Sequence, residues 1–306
     1  MTAAAGARRR AGLLAETYRE WKDDDALQWG AALAYYSIFS LAPLLLVVVS
    51  VAGLVFGREA VEGRLVAEIA GVVGPQAAAA IEAMVASAAR SGSGVLGTVT
   101  GLALMLLGAS GAFGHLQKSL NHLWNVEPKP DAGWRLMVRQ RLAALGMVLV
   151  VALLLLFALV LSAAIGAVGS WAEERLPMPG WTLGLLDLVV SLAVATLLFA
   201  AIFKVLPDVE IEWRDVWVGA AATASLFALG KVAIGLYLGR SSVASSYGAA
   251  GSLVVLLVWV FYSAQLVFFG AELTQVWARR HGTRIRPSAW AVRVEEVAVT
   301  PGERRR

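Results

Sequence analysis

The sequence has 306 residues, of which 58% are hydrophobic and 16% are charged. A water-soluble domain of this size does not usually show that balance, so we expect the apolar surplus to face lipid. Cysteine is absent, which excludes disulfide bonds, thiolate metal sites and cysteine nucleophiles. The formal net charge of +4 has two interpretations. The basic residues either form a surface that binds nucleic acid or flank membrane spans and set their orientation, and their positions decide between the two.

Six long apolar stretches predict membrane-spanning helices, because about 20 helical residues cross a hydrocarbon core of about 30 Å. Only two charged residues, Asp187 and Lys231, lie within them. The predicted fold class is therefore all-α, a polytopic membrane helix bundle of about six transmembrane helices. The predicted spans are 31–56, 95–116, 142–170, 182–203, 216–238 and 248–271.

The basic residues predict how this bundle is oriented. Twenty of the 26 Lys and Arg residues lie in the N-terminal segment, loops two and four and the tail, and five lie in the other three loops. By the positive-inside rule both termini are cytoplasmic. The chain divides into a cytoplasmic N-terminal segment at 1–28, a membrane domain at 29–277 and a basic tail at 278–306, which we expect to be partly disordered and to attract anionic lipids.

The first outer loop, at 57–94, has apolar residues at helical spacing on both sides of Gly74-Pro75. This pattern predicts an amphipathic helical hairpin. The two helices either lie on the outer interface of the membrane or form a lid or re-entrant hairpin over a cavity.

Four polar residues inside or at the end of predicted spans are candidate functional residues, because intramembrane polar groups are costly unless they have a role. Lys231 and Asp187 lie at similar depth and are candidates for a buried pair or a polar cavity, with snorkelling of Lys231 as the alternative. The sixth span contributes Gln265 and, at its inner end, Glu272. We expect Glu272 to anchor the helix by pairing with Lys204 or the loop-two arginines, with proton or substrate coupling as the alternative.

Backbone features in the first two spans are also informative. Pro43 removes a helical hydrogen bond and predicts a kink, whose freed carbonyls Ser37 and Ser40 are placed to satisfy. The alternative is a broken helix beside a substrate site. In the second span, glycines recur near one helical face up to Gly111 and Gly114, which predicts close helix packing, with a hinge or pore-lining backbone as the alternative.

A polar cluster is predicted at the inner end of the second span, where His115, Gln117, Asn121 and His122 share one helical face. A zinc site needs three or four converging ligands, and the remaining histidine, His281, is in the tail. The sequence contains no glycine-rich phosphate loop and no nucleophile elbow. We therefore expect no metal, no cofactor and no enzymatic activity.

Four ordered motifs resemble the YihY/BrkB family, historically also labelled ribonuclease BN-like. The resemblance implies a bacterial inner-membrane protein with six spans, and it carries no catalytic residues over to this chain. A zinc-dependent endonuclease needs a His/Asp cluster in water, so three scattered histidines argue against the ribonuclease label. The motifs are AYYSIFSLAPLL at Ala34–Leu45, SLNHLWNV at Ser119–Val126, LPDVEIEWRDVWVGA at Leu206–Ala220 and SSYGAAGSLVVLLVWVFYSAQLVFFGAEL at Ser245–Leu273.

Two functional hypotheses follow from these residues. The first is a transporter, flippase or channel-like protein for a lipid-linked or small amphipathic substrate. Several predicted spans contain polar residues, and the predicted topology includes no extramembrane catalytic domain. The second is a membrane scaffold or envelope-assembly factor, associated with virulence, that binds partners and moves nothing. The bilayer is the expected environment, oligomerisation is left open, and no nucleic-acid partner is expected because the basic residues flank the spans.

Overall fold

A computed structural model describes residues 2–40, 111–130, 181–240, 251–281 and 285–294, together with separate residues and short stretches between 70 and 83 and between 133 and 161. Helices dominate these residues. We label six of them: α1 (Thr2–Asp23), α2 (26–40), α3 (111–123), α4 (Trp181–Val205), α5 (Trp213–Arg240) and α6 (Gly251–Arg280). Further helical residues occur between 138 and 161.

Three of the described helices are long and apolar enough to cross a membrane, at Gly184–Val205, Trp213–Ile234 and Gly251–Arg280. They correspond to the fourth, fifth and sixth predicted spans, and the last helix continues nine residues beyond the predicted end at 271. The predicted spans at 31–56, 95–116 and 142–170, and the outer loop at 57–94, lie largely outside the described residues. The total of six spans therefore stays a prediction.

The surface of α4 shows why these helices need lipid. Leu185, Leu186, Leu188 and Val189 are all exposed although they are consecutive or nearly consecutive along the helix. Large apolar side chains around most of a helix circumference are unfavourable in water and suit a hydrocarbon environment. The membrane character of the chain is thus visible in its surface as well as in its composition.

Helix α5 packs closely against α6 through small residues spaced four apart on both helices. A Cβ atom built on Gly219 would lie 1.7 Å from Thr274 Oγ1 and 2.8 Å from the backbone oxygen of Gly270. A Cβ atom built on Gly270 would lie 1.7 Å from Thr223 Oγ1. Glycine is required at both positions because no side chain fits there, which is the packing that small-xxx-small pairs allow in membranes.

Four short strands in the described residues add to the all-α expectation. They are β1 (Val126–Pro128), β2 (Val209–Glu210), β3 (Arg286–Pro287) and β4 (Ala291–Arg293). β1 pairs antiparallel with β4, and β2 pairs antiparallel with β3. The tail strands therefore join loop two to loop four.

This pairing changes the interpretation of the tail, which we expected to be partly disordered over 278–306. Residues 285–294 are held in place by the two strand pairs and by the buried side chains of Ile285 and Ala291. Residues 295–306 lie outside the described residues. The hydropathy pattern could not predict these strands, because they have two or three residues each, too few for a periodic pattern.

The N-terminal segment reaches the same end of the bundle. α1 packs against α6, and Arg279 and Arg280 bind Glu16, while Arg279 Nη2 also lies 2.9 Å from Glu20 Oε1. The N-terminal segment, loop two, loop four and the tail therefore meet at one end. These are the four segments in which the sequence concentrates its basic residues.

Candidate functional site

A buried carboxylate, Asp208, lies at the centre of this end of the bundle. It follows α4 in loop four and is 1% exposed. Its Oδ2 accepts hydrogen bonds from Gln117 Nε2 at 3.2 Å and from Asn121 Nδ2 at 2.9 Å, both on α3. Burial of a charge is tolerated only when donors surround it, so Asp208 ties α3 to loop four.

Asn121 binds Asp208 twice. Besides donating through Nδ2, it accepts a hydrogen bond from the Asp208 backbone N–H through Oδ1 at 2.8 Å. The two residues come from two of the sequence motifs, SLNHLWNV and LPDVEIEW. A side-chain amide presents a donor and an acceptor side by side, so this pair fixes the orientation of loop four relative to α3.

Loop two and the tail complete the shell around Asp208. Arg139 Nη1 forms an ion pair with Asp208 Oδ1 at 3.2 Å, and its guanidinium carbon lies 3.5 Å from the centre of the Trp290 ring. The backbone N–H of Ser288 donates to the Asp208 backbone oxygen at 3.0 Å. A planar guanidinium can bind a carboxylate and stack on an aromatic ring at once, which joins the tail to the same centre.

A second buried hydrogen bond connects the second and the fourth of the sequence motifs. Trp124 is fully buried, and its Nε1 donates to the backbone oxygen of Ala271 on α6 at 3.1 Å. Trp124 directly follows α3, where Asn125 adopts a left-handed conformation with φ of 54°. Asparagine tolerates that conformation at a helix C-terminus, and the chain turns there into β1.

A cavity of about 790 Å³ opens beside α3, between α2, loop two and the end of β4. Its wall is more apolar than polar and includes the basic side chains of Lys118 and Arg141 and the aromatic side chains of Trp29 and Tyr36. The remaining lining residues are Gly111, Gly114, His115, Gln117, Asn121, His122, Asn125, Val126, Glu127, Pro128, Gln140 and Val294.

The four residues of the predicted inner-face cluster, His115, Gln117, Asn121 and His122, all line this cavity. The two histidines stand in an aromatic layer against α2. The ring centre of His122 lies 4.7 Å from that of Trp29, and the His115 ring stacks on Tyr36 at 4.8 Å. His115 Nε2 is buried and finds no hydrogen-bond partner in the described part of the chain.

The glycines at the inner end of the second span have a different setting from the one expected. We expected them to allow close helix packing, but a Cβ atom built on Gly111 or Gly114 would meet nothing within 4 Å among the described residues. Both line the cavity. Their setting matches the alternative, a backbone that lines a cavity, while the glycines from Gly94 to Gly108 lie outside the described residues.

The structure does not bring Lys231 and Asp187 together. Both side chains are exposed, Asp187 on α4 and Lys231 on α5, and no ion pair joins them among the described residues. Their proposed coupling stays a hypothesis without a contact to support it.

Gln265 packs where α2 begins. A Cβ atom built on Gly30 would lie 1.9 Å from Gln265 Nε2, and this nitrogen is 3.4 Å from the backbone oxygen of Ala26. The residue therefore contacts α2 rather than the fourth or fifth span. At the predicted kink, Ser40 Oγ donates to the backbone oxygen of Ser37 at 3.0 Å, and Pro43 lies outside the described residues.

Among the described residues, neither Lys204 nor a loop-two arginine forms the expected ion pair with Glu272. Lys204 Nζ instead donates to the Ile211 backbone oxygen at 2.5 Å, and Glu272 faces the turn between α1 and α2. Glu272 is fully buried, and one oxygen each of Glu20, Asp24 and Glu272 lies within 4.8 Å of the others.

Local sequence pattern does not reveal the role of Asp208 or the carboxyl partners of Glu272. Asp208 lies within the third motif, yet nothing in its local pattern marks it as buried. Asp24 and Glu20 lie in a mixed, charged stretch that reads as a solvated surface. Their partners are distant in sequence, 87 residues in the case of Asn121 and Asp208, so local periodicity carries no signal of them.

The chain was compared with known families and proteins. A family model described as virulence factor BrkB matches residues 17–295. A UPF0761 membrane protein of Verminephrobacter eiseniae is 31% identical over 273 residues, 85% of this chain and 61% of that protein. UPF0761 membrane proteins of Pseudomonas aeruginosa strain LESB58 and Methylibium petroleiphilum are 26% and 28% identical, over 84% and 88% of this chain and 62% and 66% of those proteins.

The chain therefore spans 61% of the length of the first of these relatives, and similar shares of the others. No solved structure matches it.

Proposed function

The chain belongs to the virulence factor BrkB family and is an integral membrane protein, and we propose that it is a transporter, flippase or channel-like protein for an amphipathic substrate with an anionic headgroup. The cavity beside α3 is the observation that carries this proposal. At about 790 Å³ it lies within the range of about 300–1,000 Å³ in which proteins bind small molecules.

The chemistry of the cavity wall supports an anionic, partly apolar ligand. Lys118 and Arg141 supply positive charge, and Glu127 is the one carboxylate among the described lining residues. Trp29 and Tyr36 add aromatic surface on the α2 side of the same space. Cations beside aromatic surfaces suit a headgroup that carries a phosphate or carboxylate next to an apolar chain.

The orientation we propose places this cavity at the cytoplasmic side of the bacterial inner membrane. The four segments with most of the basic residues meet at one end of the bundle, and the positive-inside rule assigns that end to the cytoplasm. Arg286 and Arg293 are exposed on the tail strands, where they can bind anionic lipid headgroups. Both termini are cytoplasmic in this proposal.

The proposal needs neither a cofactor nor catalysis. The scaffold hypothesis offers no explanation for a cavity with basic and aromatic side chains in its wall, whereas a transport protein needs a place in which the polar part of its substrate is held apart from lipid. A scaffold is the alternative that a negative transport result would favour.

Reconstitution into proteoliposomes tests this function. Fluorescently labelled phosphatidylglycerol and phosphatidylcholine serve as the anionic and zwitterionic probes, and dithionite quenching measures their movement between leaflets. We expect the protein to accelerate movement of the anionic probe more than that of the zwitterionic one. Lys118→Glu should remove most of this preference because it reverses a charge in the cavity wall.

Lys22→Glu is the matched control, since Lys22 is an exposed lysine on α1 that does not line the cavity. It should behave as the wild type does. A folded protein that leaves both lipids and a panel of anionic solutes at the empty-liposome rate would refute transport. Crosslinking of the same protein to a stable partner in cells would then support the scaffold.

A further inference from the structure

Three carboxyl groups meet where the turn between α1 and α2 packs against α6. Glu20 and Asp24 come from the turn side and are half-buried, whereas Glu272 comes from α6 and is fully buried. One carboxyl oxygen of Asp24 lies within 4.8 Å of one of Glu272. Two ionised carboxylates contain only acceptors and repel each other at this distance, so the arrangement favours a proton on one of them.

The hydrogen bonding of Glu272 is a second observation that points to a bound proton. In the amide orientation that satisfies both of its neighbours, Gln275 donates to Glu272 Oε2 at 3.0 Å and to the Leu123 backbone oxygen at 3.2 Å. Glu272 Oε1 is buried and meets no hydrogen-bond donor among the described residues, and the same holds for Asp24 Oδ2. A fully buried carboxylate with an unsatisfied oxygen is strongly unfavourable.

We propose that Asp24 and Glu272 form a proton-binding site, in which one proton is shared between the two carboxyl groups and holds the α1–α2 turn against α6. The bound proton supplies the missing donor and removes one of two adjacent negative charges. Its release leaves two carboxylates that repel each other across a buried contact, which drives the turn away from α6.

The surrounding charges favour a bound proton. Glu20 and Asp23, on α1, add negative charge beside Asp24. His122 on α3 and Arg279 on α6 oppose it, but Arg279 is already engaged with Glu16 and Glu20. Burial raises the pKa of Asp24 above its ordinary value. Proton release is thereby moved to higher pH than for an exposed aspartate.

The turn is connected to the cavity through the first residues of α2. Gln265 Nε2 on α6 lies 3.4 Å from the backbone oxygen of Ala26, two residues after Asp24. Trp29, one turn further along α2, forms part of the cavity wall and packs on His122. Movement of the turn away from α6 would displace Trp29, so the proton controls the cavity. This coupling rests on the transport function proposed above, whereas the proton site itself does not.

Infrared spectroscopy of the purified full chain tests the site directly. The carbonyl band of a protonated carboxyl group is recorded as the pH is raised beyond the range in which exposed carboxyl groups ionise. The wild type should retain such a band and then lose it on further increase of pH. Asp24→Asn and Glu272→Gln should both lack it, because in each variant an amide donor replaces the shared proton.

Glu212→Gln serves as the matched control, since Glu212 is an exposed glutamate in loop four, and it should retain the band. If Glu272→Gln does not fold, the wild type and Asp24→Asn still decide the matter. A wild type without a band in this pH range, or a band that survives in both variants, would overturn the proposal.

The same cluster has a spacing that an oxygen-liganded divalent cation could occupy. Addition of Mg²⁺, Ca²⁺ or Mn²⁺ at fixed pH should leave the band and the melting temperature unchanged. Loss of the band together with a higher melting temperature in the wild type, but not in Glu272→Gln, would assign the site to a metal ion and overturn the proton. Absence of lipid movement in proteoliposomes would refute transport without affecting the infrared result.

Discussion

Asn121 and Asp208 bind each other through two hydrogen bonds that run in opposite directions, from Asn121 Nδ2 to Asp208 Oδ2 at 2.9 Å and from the Asp208 backbone N–H to Asn121 Oδ1 at 2.8 Å. This pair joins α3 to loop four, and Arg139 adds loop two to the same carboxylate. The end of the bundle that carries the cavity is therefore organised around one buried negative charge.

Substitution of either residue should destabilise the protein strongly. Asn121→Ala leaves a buried carboxylate and a buried backbone N–H short of a partner, and we expect a loss of about 3 kcal/mol in the free energy of unfolding. Thermal unfolding in detergent, followed by tryptophan fluorescence, measures the change. Glu212→Gln, which alters an exposed ion pair with Arg214, should have an effect below about 1 kcal/mol. Equal effects of the two substitutions would contradict the role of Asp208.

The hydrogen bond from the Trp124 indole nitrogen to α6 should also contribute to stability. Trp124→Phe keeps most of the buried ring but removes the indole donor to the Ala271 backbone oxygen, which keeps its helical hydrogen bond, so we expect a loss of about 0.5–1.5 kcal/mol. Trp217→Phe is the matched control because Trp217 is 41% exposed. A melting temperature for Trp124→Phe that equals the control would show that the hydrogen bond contributes little.

The close contact between α5 and α6 at Gly219 should not accommodate an added methyl group. Gly219→Ala places a Cβ atom 2.8 Å from the Gly270 backbone oxygen, which forces the helices apart and should cost about 1–3 kcal/mol. Gly184→Ala on α4 meets nothing within 4 Å and should be neutral or stabilise the helix by up to about 1 kcal/mol. The order of the two melting temperatures checks this prediction, and the reverse order would exclude the close contact.

The ion pairs of α1 predict a loss of stability in acid. Partial burial opposes ionisation of Glu16, but hydrogen bonds from Arg279 and Arg280 outweigh it and lower the pKa of Glu16. A lowered pKa stabilises the folded state above the ordinary value, and this stabilisation is lost as the pH falls through the folded value. Because these groups are partly exposed, the effect should stay within about 1 kcal/mol and weaken in high salt.

Glu16→Gln should therefore flatten the acid side of the stability profile, and the exposed Glu82→Gln should leave it unchanged. The raised pKa of Asp24 has the opposite sign, since its contribution is lost as the pH rises. Maximal stability between the two limits is the expected result of a pH series. A profile for Glu16→Gln that matches the wild type would contradict the first half of this prediction.

The absence of cysteine allows a clean test of orientation. Single cysteines introduced at Glu212, in loop four, and at Arg175, in the outer loop predicted between the third and fourth spans, should react differently with a maleimide that does not cross membranes. We expect labelling of Arg175→Cys in intact cells and labelling of Glu212→Cys only after the membrane is opened. The opposite pattern would reverse the topology.

The sequence by itself determined that the chain is a membrane protein, where its fourth, fifth and sixth predicted spans lie, and that its basic segments share one end of the bundle. These are properties of stretches of about 20 residues, in which composition alone decides whether a helix is stable in lipid. It also indicated the polar face from His115 to His122, because helical spacing within seven residues is a local property.

Only the tertiary structure decided which of these groups work together. The donors to Asp208 come from α3 and loop two, and the partner of Asp24 comes from the other end of the chain, on α6. The tail strands likewise depend on partners in loops two and four. Such contacts join residues that are distant in sequence, and their stability arises from burial and donor geometry that no local pattern contains.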